Sequence, residues 1–81
     1  MIPLYGFLEG DTIGLLMLGH DTDTVASLAE QLQRSASVRV APRTHMAVRF
    51  KGTILPPTMT LARAGMKPLD RFDVVPQERA P

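Results

Sequence analysis

Between Met46 and Val75 the chain alternates apolar with polar residues, turns, makes one short helical run and alternates again. Met46, Val48 and Phe50 interleave with Ala47, Arg49 and Lys51 up to Gly52, the period-two pattern of a half-buried strand. The apolar pair Ile54-Leu55 is cut short by Pro56-Pro57, and proline cannot donate to a ladder, so a strand there is an edge piece. Thr60 to Ala64 reads as one helical turn stopped by Gly65, and Phe72 and Val74 alternating with Arg71 and Asp73 read as a closing strand. A second half built this way requires a sheet, and the first half must supply what covers it.

That first half predicts a hairpin and a helix. Ile2 to Leu8 and Thr12 to Leu18 are apolar runs separated by Glu9-Gly10-Asp11, turn chemistry that joins antiparallel strands. Gly19 and His20-Asp21-Thr22-Asp23 break the second run, and Thr24 is a good helix cap. Val25, Leu28, Ala29, Leu32 and Ala36 then recur at spacings of three and four, with Ser27, Glu30, Gln31, Gln33 and Arg34 on the other side, an amphipathic helix of about three turns. From Val38 to Arg43 an extended connector is expected, because the residue before Pro42 is pushed out of the helical region.

The predicted class is therefore α+β, a mixed sheet packed on one helix in the order ββαββ plus a short helical turn, with the first and last strands parallel near the middle. One domain is expected over residues 1–76, followed by a polar tail at 77–81. The expected core is Leu4, Ile13, Leu15, Met17, Val25, Leu28, Leu32, Val48, Phe50, Leu55, Leu61, Phe72 and Val74.

Composition narrows the function. Nine basic and eight acidic residues, interspersed to a net charge of +1, offer no footprint for nucleic acid or an anionic membrane. With no cysteine there is no disulfide, thiolate nucleophile or thiolate metal site, which fits a cytoplasmic protein. Neither a leader peptide nor a membrane span is expected from the start of the chain or its apolar runs.

Catalytic groups are equally scarce. His20, Asp21 and Asp23 place three possible ligands in four positions, but a solvated loop with carboxylates at the start of a helix explains them better. His45 has no acidic neighbour in sequence, Ser27, Ser35 and Ser37 lack a nucleophile elbow, and the glycines do not have a phosphate-binding spacing. Arg39, Arg43, Arg49, Lys51 and Arg63, with Asp70 and Asp73, read as a mixed-sign surface; Arg43 stands out because Pro42 beside it fixes its direction. No catalytic, cofactor-binding or metal-binding residue is assigned.

The apolar residues carry more information. The second strand, Ile13-Gly14-Leu15-Leu16-Met17-Leu18, is apolar on both faces, and the first adds Pro3, Tyr5 and Phe7 opposite Leu4. A sheet covered by one helix has one dry face. Leu16, Leu18, Tyr5 and Phe7 are thus left over, the composition of a docking surface; with Arg43, Pro56 and Pro57 they form the expected partner interface.

Two resemblances meet on these residues. The stretch from Thr12 to Val75 resembles ubiquitin through TDTVASL, VRFKGTIL, TLARAGM and RFDVV, which implies a ubiquitin-like β-grasp fold. The tail ends Arg79-Ala80-Pro81 without a Gly-Gly, and the positions of ubiquitin's apolar recognition patch hold Arg49, Asp73 and Val75, so no ubiquitin-type conjugation is expected. The chain more closely resembles the small B, or gamma, subunit of toluene 4-monooxygenase and related bacterial multicomponent monooxygenases. This rests on Phe7-Leu8-Glu9-Gly10-Asp11, Asp21-Thr22-Asp23-Thr24, Val40-Ala41-Pro42-Arg43, the run from Leu55 to Pro68, and Asp73-Val74-Val75. Pro57 stands where that family commonly has arginine.

The resemblance implies a non-catalytic subunit that docks on and stabilises a large alpha chain, in an assembly of two alpha, two beta and two gamma chains oxidising aromatic or alkene hydrocarbons. The diiron centre would lie on alpha, the overall reaction would depend on O2 and NADH, and electrons would arrive through a Rieske-type ferredoxin and a flavin reductase. The alternative is a free-standing ubiquitin-like adaptor that binds another protein through the same hairpin.

Overall fold

A computed structural model describes residues 1–77. The elements run β1 (Ile2–Leu8), β2 (Gly14–Gly19), α1 (Val25–Ser35), β3 (Met46–Phe50), β4 (Thr53–Ile54), α2 (Leu61–Ala64) and β5 (Arg71–Pro76). The five strands form one sheet in the order β2-β1-β5-β3-β4, in which β1 and β5 pair in parallel and the other neighbours are antiparallel. This is the expected α+β layout with α1 across one face.

Both helices begin where a threonine hydroxyl can replace a missing partner. Thr24 accepts from the Ser27 amide at 3.2 Å and Thr60 from the Arg63 amide at 3.2 Å. Two more exposed donors of the first turn of α1, the amides of Val25 and Ala26, reach the carbonyls of Met59 and Pro57. The amides of Leu61 and Ala62 reach back to the carbonyls of Asp23 and Asp21, so the loop before α1 and the loop before α2 hold each other. Gly65 ends α2 in the left-handed conformation, at φ 76°.

The core lies between α1 and one face of the sheet, even-numbered residues of β1, β3 and β5 and odd-numbered residues of β2. Leu4, Leu8, Met17, Val48, Phe50, Phe72 and Val74 are buried against Val25, Leu28, Ala29 and Leu32, and Leu61 and Met66 close one end. Leu15 and Leu55 are only partly buried, packed at the margin of this cluster. Ile13 departs from expectation: it precedes β2, outside the first pair Phe7↔Gly14, and is 46% exposed. Helix α1 does not reach past the end of the ladder to cover it.

Gly6, in the middle of β1, marks the tightest approach. A Cβ there would stand 2.7 Å from the tip of the Phe72 ring and 3.1 Å from both Leu32 methyls. Phe72 and Leu32 are themselves buried and have nowhere to move. Gly6→Ala is expected to cost about 1–3 kcal/mol by overpacking, read as a lower urea midpoint; an unchanged midpoint would show that the helix can lift to make room.

After α1 the chain departs from the extended connector. The Ala36 carbonyl accepts from both Arg39 and Val40, so the chain stays coiled through Val40 and extends only from Ala41. Gln33, expected on the polar side of the helix, is buried instead. Its amide group donates to the Arg43 carbonyl at 3.1 Å and accepts from the Arg43 amide at 2.8 Å, closing both backbone groups of a residue in the passing connector. At the other end, the Gln77 amide donates to the His45 carbonyl, and residues 78–81 of the expected tail lie outside the described residues.

Candidate functional site

The face of the sheet away from α1 is built from alternate residues of each strand. Register places Leu18 beside Pro3, Leu16 beside Tyr5 and Gly14 beside Phe7. Tyr5 and Phe7 in turn stand beside Arg71 and Asp73, and Arg49 lies beside Asp73 on the far side. One half of this face is apolar and open: Leu16 is 60% exposed, Leu18 54% and Tyr5 42%. Single apolar residues scattered over a small domain's surface are ordinary, but these three side chains are neighbours in one register.

The other half is ionic. Asp73 accepts from Arg71 Nε at 3.0 Å and from Arg49 at 3.3 Å, while the Arg71 guanidinium lies 4.0 Å from the centre of the Phe7 ring. Phe7 is held from the other side as well. A Cβ on Gly14 would fall 2.5 Å from that ring, so the glycine lets the ring lie flat on β2. Phe7 is therefore a half-buried hinge between the two halves of the face, whereas Leu16, Leu18 and Tyr5 are free to meet another surface.

The remaining residues expected at an interface lie elsewhere. Arg43 donates to the Glu9 carbonyl at 2.9 Å, and its neighbour Arg39 grips Asp11 through two guanidinium nitrogens, at 3.0 and 2.9 Å. The connector is thus clamped on the turn between β1 and β2, and Arg43 has work inside its own chain. Arg43 and Pro57 both line a groove of about 290 Å³ between α1 and β3, together with Val25, Ala29, Gln33 and Met46. Pro56 sits on the loop beyond β4, exposed. Open face and groove are on opposite sides of the sheet, so no single flat partner surface spans all seven.

Sequence reading missed Arg71 as part of the site, since its role appears only when parallel pairing sets it beside Tyr5 and two residues from Asp73. It also missed the Arg39 to Asp11 clamp, 28 residues apart. His20 and Asp23 prove to form a turn in which the Asp23 carboxylate accepts from the His20 amide at 2.9 Å. Among the described residues no group of three or more histidine or acidic side chains is placed to hold a metal, and no helix is long and apolar enough to cross a membrane.

Both clamped carboxylates are held below the ordinary range, Asp11 chiefly by the hydrogen bond from Arg39 and Asp73 chiefly by that from Arg71. A depressed carboxylate stabilises the fold above its unfolded pKa of about 4 and loses that contribution as pH falls through the lower, folded value. Melting temperature is accordingly expected to hold from neutral pH to about pH 5 and to drop below about pH 4. Asp73→Asn should flatten part of that drop; an identical acid profile in the variant would remove Asp73 from the account.

With this geometry, the sequence fits the family model of toluene-4-monooxygenase system protein B over residues 1–75. The chain belongs to that family. It is similar to a chain of the solved toluene 4-monooxygenase HD complex with the inhibitor 4-bromobenzoate: 31% identical over 91% of this chain and 95% of that one, with a TM-score of 0.83. A likeness to Caldiarchaeum subterraneum ubiquitin, at 17% identity over 99% of this chain and 98% of that one and a TM-score of 0.75, shows the fold alone. No curated protein sequence matches. The stretches on which the family resemblance rests touch in pairs in this structure: Glu9 meets Arg43, and 21–24 meets 60–62.

Proposed function

We propose that this component of a multicomponent monooxygenase is its small, non-catalytic gamma subunit, which docks through the open sheet face on the large alpha chain and stabilises it. The observation that carries the reading is the cluster of Leu16, Leu18 and Tyr5, open on a sheet whose other face is already covered by α1. At roughly 25 cal/mol per Å² of apolar area removed from water, three such side chains supply several kcal/mol on association.

In this reading the assembly holds two copies each of alpha, beta and gamma chains and oxidises aromatic or alkene hydrocarbons. The diiron centre, which activates O2 with electrons drawn from NADH, belongs to alpha. On the same reading the residues of this chain contribute by packing against alpha, and the chemistry is left to alpha. Co-expression with the other components of the system tests the proposal: native purification should bring down two larger chains and iron in fixed ratio with this one. A chain that elutes alone, as a monomer, in the presence of those components would favour the adaptor reading instead.

A further inference from the structure

The two edges of the sheet are treated differently. At one, β4 is two residues long, follows the Lys51-Gly52 turn and runs into Pro56-Pro57, neither of which has an N–H to offer. Such an edge cannot template another strand. The opposite edge, β2, is six residues long, Gly-Leu-Leu-Met-Leu-Gly, with no charge and no proline to blunt it.

Hydrogen bonding on the far side of β1 fixes which residues line that edge. The amides of Tyr5 and Glu9 donate to the carbonyls of Asp70 and Val74, and the Pro3 carbonyl accepts from Leu69, so odd-numbered residues of β1 turn their backbone toward β5. Even-numbered Leu4 and Gly6 therefore face β2, where register pairs them with Met17 and Leu15. By the same parity the N–H and C=O groups of Leu16 and Leu18 point away from β1, and no turn or loop hydrogen bond among the described residues reaches them. The two leucines that leave their side chains open also leave their backbone open.

We propose that β2 receives an extended, uncharged strand from another component of the monooxygenase, hydrogen-bonded to the backbone of Leu16 and Leu18. This rests on the docking reading above and names its mode. Donors and acceptors repeating every two residues, about 6.8 Å apart, are matched by a strand and not by the side of a helix. The added strand would lie beside Leu15 and Met17 on the core side and Leu16 and Leu18 on the open side, which calls for apolar side chains on both of its faces. A charge there would be desolvated without a partner.

Amide hydrogen exchange tests this, with the chain labelled in its co-purified complex, quenched, and read by NMR after release. In the free chain the amides of Leu16 and Leu18 should exchange fast while those of Leu15 and Met17 are slow; in the complex the first two should slow by about 100-fold or more. Leu18→Pro removes one outward N–H without touching the ladder to β1, and should weaken the complex about tenfold beyond Leu18→Ala at similar melting temperature. Unprotected Leu16 and Leu18 amides in an intact complex, or proline and alanine variants of equal affinity, would overturn strand addition and leave face docking standing. Failure of the wild-type chain to join the complex would instead overturn docking itself. Protection that grows with concentration of the free chain would make the occupant a second copy and overturn the proposal.

Discussion

Leu16→Asp combined with Leu18→Asp is expected to leave the domain folded and to remove it from its complex. Both side chains are more than half exposed on an edge strand, and neither belongs to the buried cluster. The cost to the isolated chain is then limited to the poor strand propensity of aspartate, no more than about 2 kcal/mol for the pair. In the docked state the same substitution places two carboxylates against an apolar surface, where each unpaired charge costs several kcal/mol. At 1.4 kcal/mol per factor of ten, affinity should fall by at least about 100-fold. The check is a melting curve of the purified variant beside co-purification with the larger chains. Full-strength co-purification of a folded double variant would refute docking through this face.

Phe72→Ala should have the largest effect on stability. Phe72 is 1% exposed, sits in β5 between β1 and β3, and meets the helix where Gly6 leaves room for its ring. Truncating a buried phenylalanine costs about 3–5 kcal/mol, because the transfer term is lost and the cavity only partly collapses. A chain of 81 residues has roughly 4–12 kcal/mol of stability in all. The variant is therefore expected to lose about a quarter of its stability or more, read as a large drop in urea midpoint at constant m-value, and Phe72→Leu should recover much of it. A loss below about 1 kcal/mol would mean that Leu32 and the ring's other neighbours close the space. Where the variant remains folded it should still join the complex, since the open face lies on the other side of the sheet; the two substitutions thus separate folding from docking.

The contrast between them shows how far local pattern reaches. Strand periodicity over residues 46–50 and 71–76, the helical stripe from Val25, the threonine caps and the Gly65 stop are signals written within a few residues of where they act, and each is where the pattern puts it. Ile13 departs from the pattern for the complementary reason. Its alternation continues that of β2, but burial ends where the partner strand and helix end, and that limit is set by the turn at residues 9–11.

Alternation also divided the hairpin into two faces and showed that one helix could dry only one of them, so a surplus of apolar surface was readable before any coordinate. It could not show that Leu16 stands beside Tyr5, that Arg71 covers Phe7 while Leu16 stays bare, or that Arg43 and Pro57 belong to the opposite side. Those depend on register and on the path of the connector, which Gln33, Asp11 and the Glu9 carbonyl fix across separations of 10 to 34 residues. The sequence by itself determined the elements, the sheet-on-helix architecture and the existence of an unshielded apolar face, because these follow from periodicity and the number of helices available. Only the tertiary structure decided which residues share that face and which edge of the sheet stays open, because pairing order and register arise from contacts between segments that are far apart in the chain.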